Sequence, residues 1–284
     1  MNIGLGLPIS DPASLLSWAR RADAGPFTTL GMLDRLVYDN PEPLIALAAI
    51  AGATTRIRVQ TEVLLAPLRQ PALLAKQAAT LDRICGGRFV LGLGVGDARR
   101  QDDHLAAGID VRGRGRRLDE QMEGMRRIWS GRPYSDDAGP IGPSPARTGG
   151  PEVLFGGFRP AALERVARWG DGFLCAAPAA WAGNLFRAVE VAWQAAGRDG
   201  RPRTVAQVNV ALGSQHVIDD ARHALSSYYA FTGDVSTAAA GMLTTPGQIR
   251  STLAQFADLG ADEVMLYCWA RDAGQIDRLA DLVA

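Results

Sequence analysis

Lysine is nearly missing from this chain of 284 residues: Lys76 is the only one, and every other basic side chain is an arginine. Lys76 falls inside a helical stretch, which argues against Schiff-base and pyridoxal chemistry, since both need a lysine at the reacting centre. The 3 histidines are scattered, with neither His-x-His nor His-Glu-x-x-His, so the ligand pattern of a zinc hydrolase is missing too. Cys85, Cys175 and Cys268 have neither paired nor metal-type spacing, which fits a reducing cytoplasm, the expected location. Acidic and basic side chains balance at 30 each, leaving no electrostatic case for nucleic acid or an anionic membrane as partner. No apolar run is long enough to span a bilayer. The N-terminal stretch Asn2 to Leu7 lacks the basic flank of a signal peptide and reads as a strand.

What is present is apolar residue in quantity, 47% of the chain, enough for one large core. Strand-like and helix-like stretches alternate from end to end. Strands are expected at Asn2–Leu7, Phe27–Leu33, Arg56–Leu65, Arg88–Val95, Glu152–Phe155, Asp171–Cys175, Thr204–Leu212 and Asp262–Tyr267, each followed by a helix. Eight such units argue for an α/β fold closed as a (β/α)8 barrel; the alternative is a doubly wound sheet. No internal repeat or linker divides the chain, so residues 1–284 are expected to form one domain, with an irregular, proline- and glycine-rich insertion near 130–150.

The stretch from Lys76 to Asp97 organises the rest. Leu74, Ala78, Leu81 and Cys85 share one helical face, and Gly86-Gly87 stops that helix. A short apolar strand follows and breaks into Gly92-x-Gly94-x-Gly96-Asp97. The spacing is not the Gly-x-Gly-x-x-Gly of a dinucleotide site. Its glycines either admit a flat ligand or merely relieve packing in a crowded barrel strand. Asp97 at the strand's exit is a candidate general acid or base, or an acceptor for a ligand N–H, or simply an N-cap. At the second strand's exit, Asp34 and Arg35 form a candidate ion pair at the barrel mouth. It serves either to hold a positive charge near the substrate or as a salt bridge of little consequence. Gly156-Gly157-Phe158-Arg159, at a strand-to-helix turn, offers backbone N–H groups to a phosphate, or is only a tight turn. Cys175 and Cys268 end strands and read as small buried hydrophobes. His104 lies in the loop after the fourth strand, and Tyr38, Trp181 and Trp269 are candidate pocket walls.

The chain resembles the luciferase-like flavin- and deazaflavin-dependent oxidoreductases over nearly its whole length. The likeness is carried by Pro71-Ala-Leu-Leu-Ala-Lys-Gln-Ala-Ala-Thr-Leu-Asp82, Gly86-Gly-Arg-Phe-Val-Leu-Gly-Leu-Gly-Val-Gly96, Arg112-Gly-Arg-Gly-Arg-Arg-Leu-Asp-Glu120, Leu154-Phe-Gly-Gly157 and Ala167-Arg-Trp-Gly-Asp-Gly-Phe173. The resemblance implies a luciferase-like barrel that binds FMN or coenzyme F420 and performs hydride transfer or monooxygenation on a small organic substrate. It also implies a homodimer as the expected assembly. It places Glu62 and Val63 in a bulge behind the flavin ring, where the family often has a non-proline cis peptide. It places Gly96 and Asp97 at the ring's polar edge, Gly156 and Gly157 at the phosphate, and Cys175-Ala176 at a turn that often supplies the phosphate with a hydroxyl, which this chain lacks. Many deazaflavin enzymes of the family carry Asp-His where this chain has Asp34-Arg35. Two other readings stand beside this one: a non-catalytic flavin or deazaflavin binder, and a non-redox barrel enzyme acting on a phosphorylated substrate.

Overall fold

The structure is a computed structural model that describes residues 1–7, 12–233, 239–272 and 274–283. Its strands are β1 (Asn2–Gly6), β2 (Thr29–Met32), β3 (Arg58–Thr61), β4 (Leu64–Leu65), β5 (Phe89–Gly94), β6 (Glu152–Gly156), β7 (Gly172–Cys175), β8 (Arg203–Val210) and β9 (Glu263–Cys268). All pair in parallel. The order β3-β2-β1-β9-β8-β7-β6-β5-β4 closes through a β3–β5 pairing, so β3 and β4 together supply one strand of a closed eight-stranded barrel.

The helices that wrap it are α1 (Pro12–Ala24), α2 (Pro43–Ala53), α3 (Pro71–Ile84), α4 (Asp102–Ala106), α5 (Arg114–Trp129), α6 (Pro160–Trp169), α7 (Ala179–Ala195), α8 (Gln215–Tyr229), α9 (Pro246–Asp258) and α10 (Gln275–Val283). Their ends follow local chemistry. The Glu42 carboxylate accepts the Ile45 N–H at 2.9 Å with Pro43 opening α2, and Thr245 and Gln248 form a reciprocal capping box at α9. Gly86 and Gly87 follow α3 with φ of 63° and 84°, a conformation that costs glycine nothing. One face of α5 is buried: Leu118, Met122, Met125 and Trp129, at helical spacing, all pack into the core. The segment between α5 and β6 has no helix or strand, yet it is tied to α3. Lys76 Nζ donates to the Gly142 carbonyl at 2.8 Å, and the Asp82 carboxylate accepts the Ala146 N–H at 2.8 Å.

The barrel interior is polar at its N-terminal end. Arg203 bridges Glu152 and Glu263, Arg58 adds a second contact to Glu152, and Thr28 Oγ1 donates to Glu263 at 2.6 Å. Burial opposes ionisation of Glu152, but Arg203 and Arg58 outweigh it and hold that carboxyl below its ordinary range. Above this layer Val90, Leu154, Leu174, Val205 and Met265 fill the barrel, with Val63 packed on them.

Candidate active site

In a barrel of this type the site lies at the C-terminal strand ends. The third strand's exit dominates that end here. The expected continuous strand Arg56–Leu65 is broken: β3 stops at Thr61 and pairing resumes with β4 at Leu64. Between them the Glu62–Val63 peptide is cis, Thr61 Oγ1 donates to the Gly92 carbonyl at 2.7 Å, and the Glu62 N–H donates to the Met32 carbonyl at 2.7 Å. Both side chains of the bulge turn into places that glycines leave open. A Cβ on Gly31 would sit 2.8 Å from Glu62 Cδ, one on Gly156 3.1 Å from Val63 Cγ1, and one on Gly94 would collide with Val63 Cγ2. Tyr267 takes the place beside Gly6 in the same way, and Gly92 is pressed by the Thr61 carbonyl and by Leu174. Of the two readings of the glycine-rich β5, relief of packing therefore explains Gly92 and Gly94.

Glu62 is buried, with Gln60 Nε2 donating to its Oε1. Desolvation pushes its carboxyl up to about 8; the Gln60 hydrogen bond opposes the shift, Glu263 adds to it and Arg203 opposes it. The Tyr267 hydroxyl, also buried, is pushed well above its usual range, by desolvation first and by Glu62 second. Gln60 Oε1 and the Tyr267 hydroxyl are buried without hydrogen-bond partners among the described residues.

At the β5 exit Gly96 turns the chain with φ of 76° and presents Asp97 to solvent. Asp97 is not the N-cap of a following helix: α4 starts five residues later behind Gln101. Its carboxylate accepts the Arg99 backbone N–H at 2.9 Å and the guanidinium at 2.7 and 3.1 Å. Those bonds from Arg99 outweigh partial burial and hold the carboxyl below its ordinary range, so at neutral pH Asp97 is an anionic acceptor.

The expected Asp34–Arg35 pair does not form. Adjacent residues at a strand exit point to opposite sides, and each finds its own partner. Asp34 accepts the Leu65 N–H at 2.7 Å and is held bidentately by Arg69 at 2.6 and 3.1 Å, while Arg69 also reaches Glu42 at 2.9 Å. Arg35 instead pairs with Asp103 at 2.6 and 2.7 Å, and its guanidinium lies 5.6 Å from the ring centres of Tyr228 and Phe231. With a side chain only 7% exposed, it is a packed and neutralised cation. Tyr38 and Trp269 do share one aromatic wall, joined through Tyr228 at 5.4 Å from each, whereas Trp181 is 67% exposed on α7.

At the β6–α6 turn Gly157 has φ of 151°, and a Cβ there would lie 2.6 Å from the Ala162 Cβ in the first turn of α6. Arg159 occupies the N-cap position without a side-chain capping bond; Pro160 has no N–H and the Ala162 N–H donates to the Arg159 carbonyl at 2.8 Å, so the head of the helix offers the Ala161 N–H to another acceptor. Phe158 is 58% exposed beside it. At the β7 exit Cys175 is packed in the core, its thiol pushed up to about 11 by burial, while Ala176 is exposed, so these two positions offer no side-chain hydroxyl. All three cysteines are free and buried, and among the described residues no His/Cys/Asp/Glu cluster has metal-binding form. Four side chains at the mouth lay outside the sequence expectations: Arg69, Asp103, Tyr228 and Phe231.

The sequence profile of the luciferase-like monooxygenases matches residues 3–260, and the chain belongs to that family. An uncharacterized protein of Mycobacterium tuberculosis (strain ATCC 25618 / H37Rv) is 37% identical over 138 residues, 47% of each chain. The F420-dependent glucose-6-phosphate dehydrogenase of Nocardia farcinica is 32% identical over 146 residues, 48% of this chain and 43% of that one. The matches thus span about half the length of these curated relatives. Among solved structures, the monooxygenase RslO1 from Streptomyces bottropensis superposes with a TM-score of 0.81 at 23% identity, covering 99% of this chain and 97% of that one, a likeness of fold. No helix among the described residues is long and apolar enough to cross a membrane.

Proposed function

We propose that this protein is an oxidoreductase that holds F420 or FMN across the C-terminal mouth of its barrel and acts on a small organic molecule. The observation that carries the reading is the place of Val63. Its two methyls reach toward Gly94 at the β5 exit and Gly156 at the β6 exit, so one side chain of the bulge floors the mouth between a carboxylate and an uncapped helix end. A flat ring fits that floor. Asp97, anionic and exposed, accepts a ring N–H at the edge beside Gly96. Glu62 lies beneath as a neutral acid, so no buried negative charge opposes an electron-rich ring. Gly157, Phe158 and Ala161 at the head of α6 would offer backbone N–H groups to the phosphate, with the Ala176 backbone alongside. Asp34 and Arg35 act through position: Asp34 fixes β4 behind the bulge, and Arg35 anchors the aromatic wall of Tyr228 and Phe231.

The bound cofactor supplies the hydride chemistry, and the chain supplies orientation and electrostatics. F420 is favoured over FMN, because the overall sequence pattern looks closer to the deazaflavin-using branch; relatives of both kinds match, an F420-dependent dehydrogenase and a flavin-dependent monooxygenase. Stoichiometric protein–cofactor complex, mixed anaerobically with candidate alcohols as hydride donors, or first reduced and then mixed with candidate organic acceptors or oxygen, should show cofactor absorbance changing as the cofactor is reduced and reoxidised. A complex that binds cofactor but never changes its redox state would mark a storage or sensing protein instead.

A further inference from the structure

The polar excursion between β5 and α5 contains one short helix, α4, and two of its neighbouring residues are almost completely buried: Asp103 at 2% and His104 at 1% exposure. They face different loops. Asp103 Oδ1 accepts the Leu36 N–H at 3.0 Å and the Val37 N–H at 2.7 Å, while Oδ2 takes Arg35 Nε at 2.7 Å and Nη2 at 2.6 Å. A carboxylate has about four acceptor positions; three here accept hydrogen bonds from three consecutive residues of the β2 exit, with the Arg35 Nη2 held at ion-pair distance. His104 Nε2 lies 3.2 Å from the Val95 carbonyl in the β5 exit. A carbonyl only accepts, so the ring proton sits on Nε2. The imidazole also supports the next residue: a Cβ on Gly96 would lie 2.9 Å from His104 Cε1.

The exits of β2 and β5 flank the exit of β3, where Glu62 and Val63 form the bulge. We propose that Asp103 and His104 are positioning residues that act as one unit, tying the β2 exit to the β5 exit and so setting the width of the mouth over Glu62 and Val63. Arg100, just upstream, strengthens the tie by donating to the Val37 carbonyl and the Tyr228 carbonyl, both at 3.0 Å. Asp103 keeps the Arg35 cation and the Leu36 and Val37 amides in place, and His104 keeps Gly96 in the orientation that carries Asp97. Because the two are adjacent on one turn of helix, a shift at either loop is transmitted to the other. The effect on cofactor rests on the function proposed above; the mechanical coupling does not.

The test uses the full-length His104→Leu, His104→Gln and Asp103→Asn variants, read by amide hydrogen exchange without any cofactor and by titration with FMN and riboflavin. His104→Leu removes the bond to Val95, and exchange of the Leu36 and Val37 amides, which His104 does not touch, should quicken about tenfold. Glutamine retains an N–H donor of similar reach, so His104→Gln should restore most of that protection. Asp103→Asn, which turns an N–H toward Arg35, should in turn quicken exchange at Val95–Asp97. Affinity for FMN and for riboflavin should fall by equal factors, since the ring's surroundings and not the phosphate turn are disturbed. Exchange that rises only at the loop each mutated residue touches would overturn the proposal, leaving two independent contacts. Failure of the wild-type protein to bind either flavin or F420 would instead count against the proposed function, with the exchange result still deciding the coupling.

Discussion

Val63 occupies the volume that Gly94 leaves open: a methyl group at position 94 would strike Val63 Cγ2. The late glycine of β5 and the bulge of the third strand are therefore one packing unit. Gly94→Ala should destabilise the protein by about 1–3 kcal/mol, the usual cost of overpacking a filled core. Adding Val63→Ala should recover part of that loss, giving a favourable coupling in a double-mutant cycle of thermal or denaturant unfolding. Strict additivity of the two changes would contradict the contact.

Glu62 gives the protein a pH dependence with a definite sign. Burial pushes its folded carboxyl up to about 8 from an ordinary 4.5. Below the lower value both folded and unfolded forms hold the proton, and there is no effect. Between the two values the unfolded chain ionises while the folded one does not, so stability falls as pH rises, and above about 8 the loss is complete and constant. Glu62→Gln removes this dependence. Urea unfolding from pH 5 to 9 should show the variant gaining on the wild type up to about pH 8 and then running parallel to it. Parallel curves throughout would show that Glu62 ionises as readily folded as unfolded.

The barrel itself was legible, because the alternation of short apolar runs and capped helical stretches is a local pattern that tertiary packing did not override. The strand ends moved by a few residues at most, except at Arg56–Leu65, where β-branched and apolar residues read as one strand and the bulge divides it. That the division falls at Glu62–Val63 came only from the family resemblance, since neither residue carries a backbone signal of its own. The partners of Asp34 and Arg35 were not legible. Asp103 lies in a run of polar residues that looks solvated, and nothing local distinguishes it from Asp102 beside it, which is far more exposed. His104 read as a loop residue for the same reason. Arg69 sits in a short proline-containing turn whose distance from Asp34 in sequence hides their contact.

Asp97 stands apart from these buried pairs, and its replacement separates chemistry from folding. Asp97→Asn leaves an acceptor oxygen on an exposed turn but removes the charge that Arg99 holds in place. The melting temperature should stay within about 2 °C, as for surface substitutions generally, while steady-state turnover falls by about tenfold or more. Wild-type turnover in the variant would reduce Asp97 to a turn residue.

The phosphate turn has a readout of its own. Gly157→Ala places a methyl group against Ala162 and tilts the N–H groups at the head of α6. FMN binding should weaken by about tenfold or more, in line with loss of charge-assisted bonds, while riboflavin, which lacks the phosphate, should be nearly unaffected. Equal losses for the two ligands would point to general damage of the turn.

The most direct test of the whole account is a titration of the purified protein with F420 and, separately, with FMN, followed by absorbance and fluorescence. Saturable 1:1 binding of at least one of them per chain is expected, tighter for F420, weakened in Gly157→Ala through the phosphate turn and in His104→Leu through the mouth. No saturable binding of either cofactor to the wild-type protein would contradict it and leave a barrel whose glycine pair serves some other phosphate.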